Sequence, residues 1–178
     1  HVSYSDRYPK EEAYFTPGDI RREDLTQQER QVVADYDNAT RYNDQVVDAI
    51  LARFTDRDAI AVYLSDHDEE VYDYRDFFCR SHDLPLTPEV CKYQFEIPFM
   101  IWMSDTYRRN RPDVAAQVAG ALDRPFSADD LSHLLLDLAG IRCRWYDPAR
   151  SLIGERFDTT RPRPLLMGFE PAGNYETI

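Results

Sequence analysis

No apolar run in this chain approaches the roughly 20 residues that a bilayer-spanning helix needs, and no charged-then-apolar leader stands at its start. A basic excess is missing too: 33 acidic residues against 21 basic ones give a formal net charge of −12. Binding to a phosphate backbone needs a basic face, so nucleic acid is not an expected partner. Cysteine is scarce and odd in number: Cys79, Cys91 and Cys143 allow at most one internal disulfide and leave at least one thiol. Cys79 with Cys91 would close a short loop in an oxidising compartment, and three separate thiols are the equal alternative. There are no repeats and no low-complexity tracts. The first residue is His rather than Met, so the expectation is a processed product or a cut piece, with any membrane anchor outside these residues.

What is present is globular. The chain has 178 residues, enough for one ordinary domain over 1–178 with one core. A hydrophobic fraction of 43% and a charged fraction of 30% exclude a disordered chain. The acidic balance keeps the surface solvated and could also attract divalent cations.

Residues 1–23 hold Pro9, Pro17, Gly18 and several aromatics without periodicity, which predicts an irregular, partly buried loop. From Thr26 to Phe54, apolar residues recur at helical spacing (Val32, Val33, Tyr36, Ala39, Val47, Ile50, Leu51), and Thr26 with Glu29 fits a capping box. A break is expected near Asn38, Asn43 or Asp44, which are weak helix formers. Ala59 to Leu64 is a β-rich apolar run and predicts a buried strand. Ile97 to Met103 predicts a second, with Pro98 near its start, where proline is tolerated. A loop with Pro85 and Pro88 lies between them. Helices are expected from Pro112 or Asp113 to about Leu122, and from a Ser127–Asp130 cap through Leu138 to a stop at Gly140. The tail is irregular, with a short strand at Leu165–Met167. Alternating helices and strands make an α/β pattern, though few strands are visible for a full sheet.

The most informative feature is Ser65-Asp66-His67, directly after the first apolar strand. In open α/β sheets ligands bind at the carboxyl ends of strands. A carboxylate oxygen and an imidazole nitrogen are donors that a divalent metal such as Zn²⁺ accepts. The bland reading of the same residues is an acidic turn. A second imidazole follows at His82, whose bland reading is a surface or structural histidine. Asp37, Asn38 and Asp44 read as packing or capping residues, and Glu69-Glu70 as a solvated turn.

Five segments in order resemble the bacterial lipid A and core phosphoethanolamine transferases, of the sulfatase and alkaline-phosphatase superfamily. His1-Val2-Ser3-Tyr4-Ser5-Asp6-Arg7-Tyr8-Pro9 is similar to their "GSH…Y…RYP" segment, and Tyr36 to Asp44 to their "YDN-x-I-x-Y-x-D" helix. Tyr63-Leu64-Ser65-Asp66-His67 resembles the "SDHGE" metal motif. Ser81-His82-Asp83-Leu84-Pro85 looks like "LHG-x-P", and Ile97 to Ser104 resembles the strand "VP-x-I-x-W-x-S". The resemblance covers roughly residues 1–160. It implies the C-terminal part of an alkaline-phosphatase-like fold, a mixed sheet flanked by helices. Asp66 and His67 would be metal ligands, for Zn²⁺ or for Mn²⁺, Mg²⁺ or Ca²⁺, and His82 and His1 phosphate-side contacts. The family's Thr nucleophile and its Glu ligand have no counterpart here, and no Cys-x-Pro-x-Arg sulfatase signature occurs. Asp68 and Asp83 stand where the family has Gly.

By the same resemblance the substrate would be a phospholipid or lipopolysaccharide, handled by the periplasmic domain of an inner-membrane protein. This piece alone would be inactive. A sulfatase, a phosphodiesterase or a degenerate binding domain are the other readings. Sheet edges left open would favour a homodimer through an edge or through the face of the Thr26–Phe54 helix.

Overall fold

A computed structural model describes residues 3–81, 85–167 and 170–178. His1 and His82 lie outside the described residues. In chain order the elements are α1 (Gln27–Ala52), β1 (Ile60–Leu64), β2 (Glu70–Val71), β3 (Phe78–Cys79), α2 (Pro88–Phe95) and β4 (Phe99–Met103). Then come α3 (Asp105–Asn110), α4 (Pro112–Ala119), α5 (Leu131–Leu138), β5 (Pro164–Met167) and β6 (Glu170–Asn174). The chain divides into two compact units. One comprises His1–Phe54 and His67–Ile97, the other Thr55–Asp66 and Pro98–Ile178. No helix among the described residues is long and apolar enough to cross a membrane.

The first unit is built on α1. Its capping box forms as the sequence predicts: Glu29 N–H donates to Thr26 Oγ1 at 3.3 Å, and Thr26 N–H donates to Glu29 Oε2 at 2.6 Å. The expected break does not occur. Asn38 is 1% exposed, and its amide is committed to the loop that precedes the helix. Its Oδ1 accepts from the backbone N–H of Tyr14 and of Phe15, both at 2.7 Å, and its Nδ2 donates to the Phe15 carbonyl at 2.9 Å. A residue of poor helix propensity is held in place by tertiary hydrogen bonds. Leu25, Val71 and Tyr72 form the core, with Val32, Val33, Tyr36 and Phe78 packed on it. Tyr4, also buried, meets Tyr36 edge-on at 5.2 Å between ring centroids. The segment with Pro88 is α2 rather than loop. Thr87 Oγ1 accepts from Val90 N–H, and proline at the first turn has no N–H to waste. All three cysteines are free thiols, with Cys91 buried and Cys143 exposed.

The second unit pairs β1 with β4 antiparallel, from Ile60 opposite Met103 to Leu64 opposite Phe99. Both strands are half-buried rather than fully buried. Ala121, Leu134, Leu152 and Ile153 form its core, and Phe99, Ile101 and Phe126 pack against it. Ser127 was expected to cap the next helix, yet its side chain makes no capping bond. A 3₁₀ turn at Ala128–Asp130 leads into α5 instead, and the Asp130 carboxylate faces Arg150 and Arg161. Gly140 ends α5 as predicted. At φ +68° it donates to the Asp137 carbonyl at 2.9 Å, while Ile141 donates to the Leu136 carbonyl at 2.8 Å. These are the two bonds of a Schellman turn. The predicted Leu165–Met167 strand is β5, paired with β6. The α/β class holds, and among the described residues all three sheets are antiparallel pairs.

Candidate functional site

β1 delivers Ser65, Asp66 and His67 at its carboxyl end. The last rung of the ladder is the Ser65 N–H donating to the Pro98 carbonyl at 3.4 Å. Beyond it the chain leaves the sheet, so Asp66 and His67 sit on a connection rather than in a strand. Asp66 is exposed and His67 half-buried. His67 Nδ1 lies 3.1 Å from the carbonyl oxygen of Asp68. A carbonyl can only accept, so this bond requires the proton on Nδ1. The neutral ring then carries its lone pair on Nε2, the form in which a histidine binds metal.

The residues that follow form a short strap, β2 and β3, with Glu70 opposite Cys79 and Val71 opposite Phe78. Here the expectation of a solvated Glu69-Glu70 turn fails. Glu70 is fully buried. Its Oε1 accepts from Arg75 N–H at 2.6 Å, and its Oε2 accepts from Arg75 Nε at 2.9 Å and from Arg75 Nη2. A lone carboxylate could not survive there, and the guanidinium five residues on makes its burial tolerable. Glu69 accepts from the buried Tyr4 hydroxyl at 2.5 Å, which ties the N-terminal segment to the residue two after His67. Burial first, then Glu69, raises the Tyr4 phenol well above its ordinary range. Tyr72 at φ 60° turns the strap over, and its carbonyl accepts from Arg22 at 2.9 Å. The sequence signal that could have exposed this clamp is a Glu–Arg pair five residues apart, a spacing that misses the i,i+3 and i,i+4 contacts of a helix face but suits a hairpin.

The surroundings are acidic. The Asp68 carboxyl is pushed above the usual carboxylate range by burial, and the nearby Asp73 and Glu69 charges add to the effect. Asp37, on α1, is raised by burial and then by Asp73. The Tyr36 phenol is raised by burial and by the charges of Asp68, Glu69 and Asp73. The unit containing His67 holds 19 acidic residues against 10 basic ones, the other unit 14 against 11, which gives −9 and −3. Such a field draws cations and disfavours a bare anion. Of the four candidate residues, Asp66 and His67 are adjacent in the chain, and His82 and His1 fall outside the described residues. Among the described residues no group of three His, Cys, Asp or Glu side chains could hold a metal. The donor chemistry of Asp66 and His67 therefore fits two ligands of a metal shell and no more.

Comparison with known proteins shows the family. A Sulfatase family model matches residues 1–141. Phosphoethanolamine transferase EptC of Escherichia coli is 36% identical over 173 residues, 90% of this chain and 28% of that protein. Phosphoethanolamine transferase CptA of Salmonella typhimurium is 34% identical over 167 residues, again 90% of this chain and 28% of the relative. A crystal structure of the C-terminal periplasmic domain of EcEptC from Escherichia coli superposes with TM-score 0.83 at 31% identity, over 100% of this chain and 50% of that one. A second structure of that domain, in complex with Zn, gives 0.80 at 30%, over 100% and 49%. The chain thus spans about half the solved domain and 28% of the curated relatives.

Proposed function

Because the chain belongs to the sulfatase family and has its alkaline-phosphatase-like α/β fold, we propose that it is part of the catalytic domain of a metal-dependent phosphoethanolamine transferase acting on a cell-envelope lipid or lipopolysaccharide. The transfer would break one P–O ester bond to the donor and form another to the acceptor. The whole protein would present this domain in the periplasm. Asp66 would bind a divalent cation, Zn²⁺ first, through carboxylate oxygen, and His67 through Nε2. That cation would supply positive charge against the phosphate oxygens and lower the pKa of a hydroxyl nucleophile. Hydrogen bonding of His67 Nδ1 to the Asp68 carbonyl fixes the ring's tautomer, and this is the observation that carries the reading. The neighbouring carboxylates favour the cation's entry. By the family resemblance, His82 and His1 would donate hydrogen bonds to the phosphate or protonate the leaving oxygen.

Two ligands are two short of a tetrahedral zinc shell. This chain alone should therefore bind zinc weakly and turn over no phosphodiester. Competition titration with a chromophoric chelator tests this. Zinc binding that falls in Asp66→Ala and in His67→Ala supports the pair, and equal binding by both variants rejects it. Metal-dependent turnover by the pure chain, lost in Asp66→Ala, would mean that these residues carry a fuller site than proposed. A degenerate binding domain is the second reading, favoured by the half-buried Asp68 where the family has Gly. Its expected result is no zinc affinity beyond that of the Asp66→Ala variant. Self-association as a homodimer through a sheet edge or an α1 face is proposed as well, and light scattering over a range of concentrations reads it directly, a constant monomer mass rejecting it.

A further inference from the structure

The direction of one peptide group decides which nitrogen of His67 carries the proton. The group joining Asp68 to Glu69 turns its carbonyl oxygen to within 3.1 Å of Nδ1, so the proton sits there and the lone pair on Nε2. Turned over, the same group would present its N–H. Nδ1 would then accept, and the proton would move to Nε2, where it blocks a cation. Residues 67–69 have no regular secondary structure, so neither a helix nor a strand fixes that peptide. Side chains hold it instead. The Glu69 N–H donates to Asp68 Oδ1 at 2.9 Å, which grips the group from its nitrogen side. The Glu69 carboxylate accepts from the Tyr4 hydroxyl at 2.5 Å. The next residue, Glu70, is clamped by Arg75 through both carboxylate oxygens.

Tyr4 is the long-range member of this set, 65 residues from Glu69. It is 7% exposed, and its ring meets Tyr36 and Phe78 edge-on at 5.2 and 6.3 Å between centroids. Those contacts would hold a phenylalanine equally well. The hydroxyl is the part that packing does not account for. Burying it costs free energy unless it is bonded, and its bond goes to the residue two after His67. Asp68, for its part, supplies an oxygen where a glycine would have none. We infer that Asp68, and Tyr4 acting through Glu69, are positioning residues that lock the 68–69 peptide with its carbonyl toward His67. The lock keeps the proton off Nε2, the nitrogen that would take a divalent cation. Tyr4, His67, Asp68 and Glu69 all belong to the first unit. The inference deepens the reading of His67 as a metal ligand and rests on it for the purpose of the lock. The lock itself is a property of the metal-free chain.

Two-bond proton–nitrogen correlation spectra of the metal-free 178-residue chain read the tautomer directly. The chain is labelled at its histidine nitrogens and kept at a pH where imidazole is neutral. Loss of peaks in His67→Gln assigns them among the four histidines. In the wild type the His67 proton should be on Nδ1. Tyr4→Phe, Glu69→Ala and Asp68→Ala should each give a mixture of the two tautomers, with far-ultraviolet circular dichroism unchanged. Zinc affinity should fall in proportion to the Nδ1-protonated fraction that remains, about twofold when half is left. Asp68→Asn and Glu69→Gln keep an oxygen in place and should keep the wild-type spectrum. Tyr4→Phe should add nothing to Glu69→Ala, because the hydroxyl acts through that carboxylate. Glu69→Ala also removes the bond without touching the core ring, so the test stands if Tyr4→Phe unfolds. A tyrosine that served only the core would lower the urea midpoint and leave the His67 nitrogens unchanged, which overturns the inference for Tyr4. An unchanged spectrum in Asp68→Ala overturns it for Asp68, and a wild type protonated on Nε2 overturns it for both. The wild-type zinc titration tests the functional reading and the metal-free spectra test the lock, so the two fail separately.

Discussion

Each unit of this chain buries one carboxylate under arginine, and the two do it in opposite ways. Glu70 meets Arg75, five residues on, within one hairpin. Asp130 meets Arg150 and Arg161, 20 and 31 residues on. The first pair closes a local loop and so fixes the shape of the strap that follows His67. The second pins a long irregular tail to the start of α5, where no ladder of backbone hydrogen bonds would hold it. Buried ion pairs are weak evidence of net stability, because desolvation offsets the Coulomb gain. Their use here is to settle which conformation a segment adopts, locally in one unit and over long range in the other.

Hydrogen exchange read peptide by peptide can break or sharpen that contrast. Glu70→Ala strands Arg75 in a partly buried site and should cost about 3–5 kcal/mol. Its faster exchange should be confined to residues 67–81, and spread into 141–163 would break the comparison. Asp130→Ala should cost less, about 2–4 kcal/mol, because both arginines are about a third exposed and can rehydrate. Its exchange should rise across 147–163 and leave the strap unchanged. Asn38→Ala removes the acceptor of two backbone N–H groups and should cost about 2 kcal/mol by urea denaturation. The protection lost should be that of residues 13–16, with α1 still formed.

The smallest effect depends on pH and has opposite signs in the two units. The Asp37 carboxyl is held above its ordinary range by burial and by Asp73, so folding favours its protonated form. In that window the folded state binds more protons than the unfolded one, and stability falls as pH rises through it. Asp37→Asn should therefore gain less than about 1 kcal/mol at neutral pH, after allowance for solvent screening. The gain should vanish below the ordinary aspartate range. Asp58 is held below its ordinary range by Arg111 and Asn110. Its contribution is present above the unfolded value and lost as pH falls through the folded one, so Asp58→Asn should lose stability at neutral pH and lose nothing in acid. Urea midpoints at several pH values would show both.

Much of the architecture was legible because it follows from local chemistry. The capping box at Thr26, the apolar runs of β1 and β4 and the glycine stop at Gly140 each depend on residues within a turn or a ladder rung. The failures share a different cause. In sequence Asn38 is only a weak helix former, because its partners, Tyr14 and Phe15, are more than 20 residues away. In sequence Glu70 belongs to a solvated turn, because burial of its charge depends on a hairpin that only two residues per strand maintain. Ser127 with Asp130 has the spacing of a cap, but Asp130 is drawn to arginines far along the chain. For the site, the Asp66–His67 pair was visible from its place after a strand, whereas the Tyr4–Glu69 bond and the Glu70–Arg75 clamp depend on tertiary contacts.

The order in which the two units use the chain has a consequence for how the molecule is made and how it can be cut. The chain passes from one unit to the other three times, after Phe54, Asp66 and Ile97. A cleavage after Ile97 leaves the first unit whole on a fragment that also carries β1 away, so the second unit keeps its core cluster but loses the strand that pairs with β4. During synthesis β1 emerges 34 residues ahead of its partner, and the span between Leu64 and Phe99 belongs almost entirely to the other unit. Closing such a loop carries an entropic penalty that grows only slowly with its length. The interval is instead a delay, in which an apolar strand waits unpaired with both edges open to other chains. Early compaction of the inserted segment would draw the ends of that loop together and shorten the wait.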